Sequence, residues 1–103
     1  MTDTNKDTPA EMSVIRELRR GIDDIDREIV DLLAKRIELA VEIGRLKLQQ
    51  GVDLRSPDRE QGLLSVVRNE ADRLGLDVDL VSSWFERILE YSRARQADAL
   101  DLP

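Results

Sequence analysis

Between about Ser13 and Gln50, apolar residues recur at alternating steps of three and four, the spacing that keeps one face of an α-helix apolar. In heptad terms, isoleucine and leucine occupy the a and d positions almost throughout: Ile15, Leu18, Ile22, Ile25, Ile29, Leu32, Leu39, Ile43 and Leu46. Arg36 is the one a position that breaks the pattern. The run therefore predicts a single helix of roughly ten turns with an apolar seam along one side.

The length of this helix predicts a second copy of the chain. At 1.5 Å per residue it would extend about 55 Å, whereas a compact domain of this chain length has a radius of gyration of about 13 Å. The remaining half of the chain is too short to cover such a seam. We therefore predict an obligate helical homodimer.

The composition narrows the fold and the chemistry. The 103 residues are enough for one domain, and their pattern favours an all-α protomer of three helices. A net charge of -6 argues against a sequence-independent hold on nucleic acid or an anionic membrane. Cysteine and histidine are absent, which excludes thiol nucleophiles, histidine bases and nearly all zinc sites. We expect neither a metal nor a cofactor.

The chain is predicted to have three parts. A polar leader, without the apolar segment of a signal peptide, is expected to be disordered, and we expect a cytoplasmic protein. A helical domain and a frayed tail follow. The predicted bounds are 1–12 for the leader, 13–99 for the domain with helices at about 13–50, 57–74 and 78–99, and 100–103 for the tail.

Capping and stop residues support these helix bounds. Ser13, Ser56 and Asp77 are each of a type that caps a helix N-terminus, and Ser56 precedes a proline at the first helical position. Gly51 and Gly75 are of the type that ends a helix.

Extending each apolar stripe by its own period reaches polar residues on the inward faces. They are Arg36 and Lys47 on the first helix, Glu60 with Arg59 beside it on the second, and Ser92 and Gln96 on the third. Inward charges need partners because burying an unpaired charge costs several kcal/mol. One interpretation is a buried Arg36–Glu60 ion pair, or a polar residue that fixes dimer register. The other is a pocket for a small ligand that carries carboxylates.

These residues occur in an order that resembles the all-helical AroQ-type chorismate mutases. The likeness extends from Ile15 to Ala99 and rests on these elements: Leu18-Arg19, Leu32-Leu33-Ala34-Lys35-Arg36, Leu39-Ala40-Val41-Glu42-Ile43-Gly44 leading to Lys47, Asp58-Arg59-Glu60, and Ser92 with Gln96. The resemblance implies an intertwined homodimer of three-helix protomers. It also implies a small-molecule substrate, chorismate, which rearranges to prephenate without a cofactor.

By the same resemblance, Arg36 and the Arg19 of a second copy would hold the two substrate carboxylates, with Ser92 assisting. Lys47 and Gln96 would donate to the ether oxygen. The spacing agrees with donation across the dimer, because Arg19 and Lys47 are 28 residues apart, or about 42 Å on one straight helix. They cannot share a small ligand within one chain.

The resemblance assigns the C4 side of the substrate to the start of the second helix. Glu60 would accept from the C4 hydroxyl, and Arg59 would line the site and orient Glu60. Ser56 stands where some members carry an aspartate, and would meet the hydroxyl through its backbone amide.

Three other functions remain open. A 4-amino-4-deoxychorismate mutase would present an ammonium to Glu60, which a carboxylate accepts as readily as a hydroxyl. An isochorismate pyruvate lyase fits less well, because its substrate carries the hydroxyl on C2. A non-catalytic dimerisation module would use Arg36 to set register. Since the sequence ends at Pro103, we expect no fused dehydratase, dehydrogenase or regulatory domain, so that control would come from an activating partner enzyme.

Overall fold

The computed structural model describes residues 8–102, which form three α-helices. These are α1 (Pro9–Gln50), α2 (Pro57–Arg73) and α3 (Val78–Ala99), and residues 8–102 contain no strand. The predicted all-α class is confirmed. The chain divides into two compact units, one that ends at Arg36 and one that begins at Ile37.

The first helix begins at Pro9, earlier than the predicted start at Ser13. Thr8 Oγ1 accepts from the backbone N–H of Glu11 at 3.1 Å, and Glu11 Oε2 accepts from the N–H of Thr8 at 3.1 Å. This reciprocal pair is a capping box, with proline at the first helical position. Ser13 therefore lies inside the helix. Residues 9–12 of the predicted leader are helical, and its first seven residues lie outside the described range.

In the first unit, the predicted seam lies on α1 and is exposed. Its central residues are each more than half exposed: Leu18, Ile22, Ile25, Ile29 and Leu32. The charged residues around them form i, i+3 ion pairs on the helix surface, as between Arg20 and Glu17 and between Arg27 and Asp24. The single chain thus presents a row of large apolar side chains to solvent.

The second unit has a small core in which α2 packs against α3. The buried apolar residues are Ile37 from α1 with Val67 and Ala71 from α2, and α3 contributes the buried Ser82 and Ser92. Within residues 8–102 no large side chain is fully buried. A core of this size stabilises a chain only weakly by itself.

Both predicted glycine stops are confirmed. Gly51 and Gly75 have φ values of 69° and 72°, in the left-handed region that glycine adopts without strain. The backbone N–H of Val52 donates to the carbonyl of Lys47 at 2.9 Å, which closes α1 in a Schellman motif. This turn ends α1, and the connection that follows it places the carbonyl of Leu54 beside Lys47.

The two downstream helix starts differ in how they are capped. Asp77 accepts from the backbone N–H of Leu80 at 3.0 Å, which confirms it as the cap of α3. Ser56 has an extended backbone but its side chain makes no capping bond, so its predicted hydroxyl cap is wrong. Pro57 at the first helical position instead sets the start of α2, because its ring already holds the helical φ.

The chain after α3 is closed by hydrogen bonds, in contrast to the frayed tail predicted for 100–103. The N–H of Leu102 donates to the carbonyl of Ala97 at 2.8 Å, with Asp101 in the left-handed region at φ 54°. Leu100 and Leu102 are half-buried. Pro103 lies outside the described residues.

Candidate active site

At Gly44, the last turns of α1 lie close to the side chains of Gln96 and Leu100. Gly44 is buried, and a Cβ atom there would lie 3.1 Å from Leu100 Cδ1 and 3.3 Å from Gln96 Nε2. Gln96 Nε2 donates to the backbone carbonyl of Ala40 at 2.6 Å. The missing side chain thus lets the Gln96 amide lie flat against α1.

Lys47 follows on the same face of α1. Ala40, Gly44 and Lys47 are spaced by four and then three residues, which places them on one side of the helix. The half-buried Lys47 donates from Nζ to the carbonyl of Leu54 at 3.2 Å. This bond ties the ammonium to the connection between α1 and α2 and uses one of its three protons.

Glu60 lies on α2 between two guanidinium groups. Its Oε2 is 2.7 Å from Arg93 Nη1, and its Oε1 is 3.7 Å from Arg55 Nη2. The Glu60 side chain is only 20% exposed, and that of Arg93 is 35% exposed. The structure therefore holds Glu60 through Arg93 and Arg55, where the sequence predicted Arg59. Arg59 is exposed, because adjacent helical positions do not face the same way.

Ser92 is buried on α3, one turn before Gln96. Its hydroxyl donates to the carbonyl of Ile88 at 2.8 Å, within its own helix. Ser56 is half-buried at the start of α2 with an extended backbone. Arg19 and Arg36 belong to the first unit, where Arg19 is exposed and Arg36 is half-buried.

The second unit therefore brings four of the predicted site residues onto three linked helices: Lys47, Glu60, Ser92 and Gln96. The links are side-chain contacts from α1 to the following connection, from α2 to α3 and from α3 back to α1. Arg93 and Gln96 are three residues apart, so their side chains are neighbours on α3.

These groups can donate hydrogen bonds and stabilise negative charge. The Lys47 ammonium and the Gln96 amide supply the donors, one carboxylate supplies an acceptor, and the Ser92 hydroxyl gives its one proton to Ile88. Within residues 8–102 no three acidic side chains are placed to hold a metal ion. Over the same residues, no helix has both the length and the apolar content needed to cross a membrane. The arrangement suits a reaction that needs oriented donors.

Arg93 and Arg55 are not among the site residues predicted from the sequence. A signal for Arg93 was present, because stepping back three residues from Gln96 reaches it on the same stripe. An inward carboxylate such as Glu60 also needs a cation nearby, and Arg93 supplies one. Arg55 lies in the connection, where periodicity carries no information.

Comparison with known proteins identifies a family. Residues 18–97 match the family described as chorismate mutase type II. The T-protein of Haemophilus influenzae is 36% identical over 85 residues, which are 82% of this chain and 22% of that protein. The chorismate mutase of Methanocaldococcus jannaschii is 29% identical over 87 residues, 84% of this chain and 88% of that protein.

A third relative, the bifunctional chorismate mutase/prephenate dehydratase of Escherichia coli K12, is 37% identical over 75 residues, 73% of this chain and 19% of that protein. The chain spans about a fifth of the length of this relative and of the T-protein. The match covers α2, most of α1 and α3, and every predicted site residue, and it confirms the resemblance found in the sequence. The chain belongs to the chorismate mutase type II family.

Proposed function

We propose that this protein catalyses the Claisen rearrangement of chorismate to prephenate. The observation that carries the proposal is the family match over residues 18–97, within which Lys47 lies on α1 and Gln96 of α3 donates to Ala40 on the same face of α1. Relatives that are 29–38% identical to this chain over the matched residues include proteins named chorismate mutase.

The reaction suits the groups that the chain carries. It is a unimolecular pericyclic shift, so it needs no nucleophile and no proton transfer. It requires a folded substrate conformation and stabilisation of the negative charge that develops on the ether oxygen. A chain without cysteine or histidine can therefore catalyse such a reaction, provided that it positions hydrogen-bond donors for the ether oxygen.

Lys47 and Gln96 are oriented donors for that oxygen. Lys47 is held by Leu54 and keeps two protons for the substrate, while the Gln96 amide donates one N–H to Ala40 and keeps the other. Donors that are already positioned need no reorganisation as charge develops.

The substrate carboxylates are assigned to Arg36 and to the Arg19 of a second copy, with Ser92 assisting. Guanidinium forks match carboxylates in a bidentate manner. We assign the C4 hydroxyl to Glu60 and to the backbone amide of Ser56. Arg59 keeps only the role of lining the site.

A homodimer follows from the exposed row on α1. Fully burying a leucine or isoleucine side chain stabilises a protein by about 1.5–3 kcal/mol, so covering this row with a second copy is strongly favourable. Arg19 adjoins Leu18 at the end of the row. Dimerisation through this row would bring Arg19 of one copy to the active site of the other copy.

We also assign a product-consuming partner enzyme to this protein. Several relatives are named bifunctional chorismate mutase/prephenate dehydratase and are much longer than the matched region. Their fusion supports a partner that acts on prephenate, either as a separate chain or as a further domain.

The experiment that tests the activity mixes the purified protein with chorismate. Loss of the diene absorbance, with prephenate identified as the product, is the expected result. Chorismate loss at the rate seen in buffer, from a folded protein, would contradict the proposal and favour a non-catalytic dimerisation module. Isochorismate offered in parallel tests the lyase reaction.

A further inference from the structure

We propose that Arg93 determines specificity at C4 of the substrate, by orienting Glu60 and by favouring a neutral hydroxyl over a cationic ammonium there. The inference rests on the proposed function, because it takes Glu60 as the group that meets C4.

The contact between Arg93 and Glu60 is short and sheltered. The two atoms lie 2.7 Å apart, and the partners come from different helices, α3 and α2. Most of the other ion pairs in residues 8–102 join side chains three residues apart on one exposed helix surface. The Glu60 side chain is only 20% exposed, and a charge-assisted bond at this distance fixes the orientation of its carboxylate.

Arg93 also lies close to the donor groups of the site. It directly follows the buried Ser92 and precedes Gln96 by three residues, so it is within one helical turn of the amide assigned to the ether oxygen. Its charge therefore acts where the substrate is expected to bind.

Two guanidinium charges around one carboxylate leave a local excess of positive charge. Arg93 is 2.7 Å from Oε2 of Glu60 and Arg55 is 3.7 Å from Oε1. An ammonium at C4 would have to approach the same carboxylate and would meet like charges within a few ångströms. A hydroxyl brings no charge, and it can donate to a lone pair of Glu60 that the arginines leave available.

The test compares chorismate with 4-amino-4-deoxychorismate as substrates of the full chain. Arg93→Met removes the charge and keeps the length of the side chain, whereas Arg93→Lys keeps the charge and loses the fork. Arg87→Met is the matched control, since Arg87 lies on the same helix with its side chain 84% exposed. For each variant, kcat and KM are measured with both substrates.

We expect Arg93→Met to lower the ratio of kcat/KM for chorismate to kcat/KM for the amino substrate by on the order of tenfold. The reason is that the substitution removes the repulsion between the guanidinium and the substrate ammonium, which chorismate does not carry. Arg93→Lys should keep most of the ratio while lowering kcat/KM for chorismate. The control should change neither value.

Equal losses with both substrates, or an unchanged ratio, would overturn the inference and leave the proposed function intact. Absence of chorismate turnover by the unsubstituted protein would instead refute the proposed function. Should Arg93→Met lose helicity by circular dichroism, Arg55→Met decides the matter: Arg55 lies in the connection with its side chain 63% exposed, and its loss should lower the ratio in the same direction by a smaller factor.

Discussion

Lys47 owes its position to two bonds of different origin. The Schellman turn after α1 brings the connection back beside Lys47, and the carbonyl of Leu54 then receives its ammonium at 3.2 Å. An ammonium fixed in this way is oriented before any substrate arrives. The side chain is therefore placed to act on a developing negative charge.

We expect Lys47→Ala to lower kcat by about 10²–10³-fold, which is the usual effect of removing one oriented donor from a charge-stabilising site. Lys35→Ala is the control, because Lys35 is exposed on the same helix. Steady-state kinetics with chorismate measures both variants, and circular dichroism checks that helicity is kept. Near-normal turnover by the Lys47 variant would refute its assigned role.

Gly44 controls the other donor. A Cβ atom there would press on Gln96 Nε2 and Leu100 Cδ1, so Gly44→Ala must displace the Gln96 amide by a few tenths of an ångström. We expect kcat to fall on the order of tenfold, because a donor out of position stabilises less charge. The free energy of unfolding should change by less than about 1 kcal/mol, since alanine has the higher helix propensity.

The control for this prediction is Gly62→Ala on α2, where a Cβ atom would meet nothing within 4 Å. It should raise the free energy of unfolding by about 0.5–1 kcal/mol and leave kcat unchanged. Urea denaturation and chorismate kinetics give both quantities. Unchanged kcat in the Gly44 variant would show that Gln96 is not a donor in the reaction.

Among the three helices, α1 exposes the longest row of large apolar side chains in the single chain. Its apolar row is more than half exposed from Leu18 to Leu32, while its opposite surface carries charged pairs. A helix with this pattern gains most of its stability from packing its apolar face against another helix. The row therefore predicts that α1 packs against α1 of a second copy.

We expect Ile25→Asp to dissociate the homodimer, because an unpaired carboxylate in a buried seam costs several kcal/mol. Arg27→Asp is the control, since Arg27 lies on the outer side of the heptad with its side chain 72% exposed. Light scattering coupled to gel filtration gives the mass of each variant. The prediction fails if the unsubstituted protein has the mass of one chain, or if both variants keep the mass of two.

Element bounds were predictable where local chemistry was decisive. Asp77, Gly51 and Gly75 act as their residue types predict, because a cap or stop depends on its immediate neighbours. The start of α1 was placed too late: Thr8 and Glu11 with proline between them form a complete capping box, but the polar composition around them suggested disorder.

The side-chain partners were less predictable than the elements. The stripe on α2 places Glu60 inward from its period alone, and the structure agrees. Its pairing with Arg93 depends on the register between α2 and α3, which no pattern within one helix contains. The resemblance assigned Arg59 to orient Glu60, but the two are adjacent in sequence, and adjacent positions on a helix do not face each other.

At the scale of the whole molecule, the pattern of exposure favours assembly with a second copy. Residues 18–97 match the chorismate mutase type II family, and within residues 8–102 the buried large apolar residues are few, namely Ile37 and Val67. A protein with so little core of its own is stabilised by association. We therefore infer that the dimer and the active site form together.

The measurement that tests this account most directly mixes two inactive variants, Arg19→Ala and Lys47→Ala, after both are unfolded in denaturant and refolded together. If Arg19 acts on the site of the other copy, half of the dimers formed are mixed, and each mixed dimer holds one complete site and one doubly defective site. Activity should then recover to about a quarter of that of the unsubstituted protein refolded in the same way. Activity that stays at the level of the separate variants would contradict an active site shared between two copies.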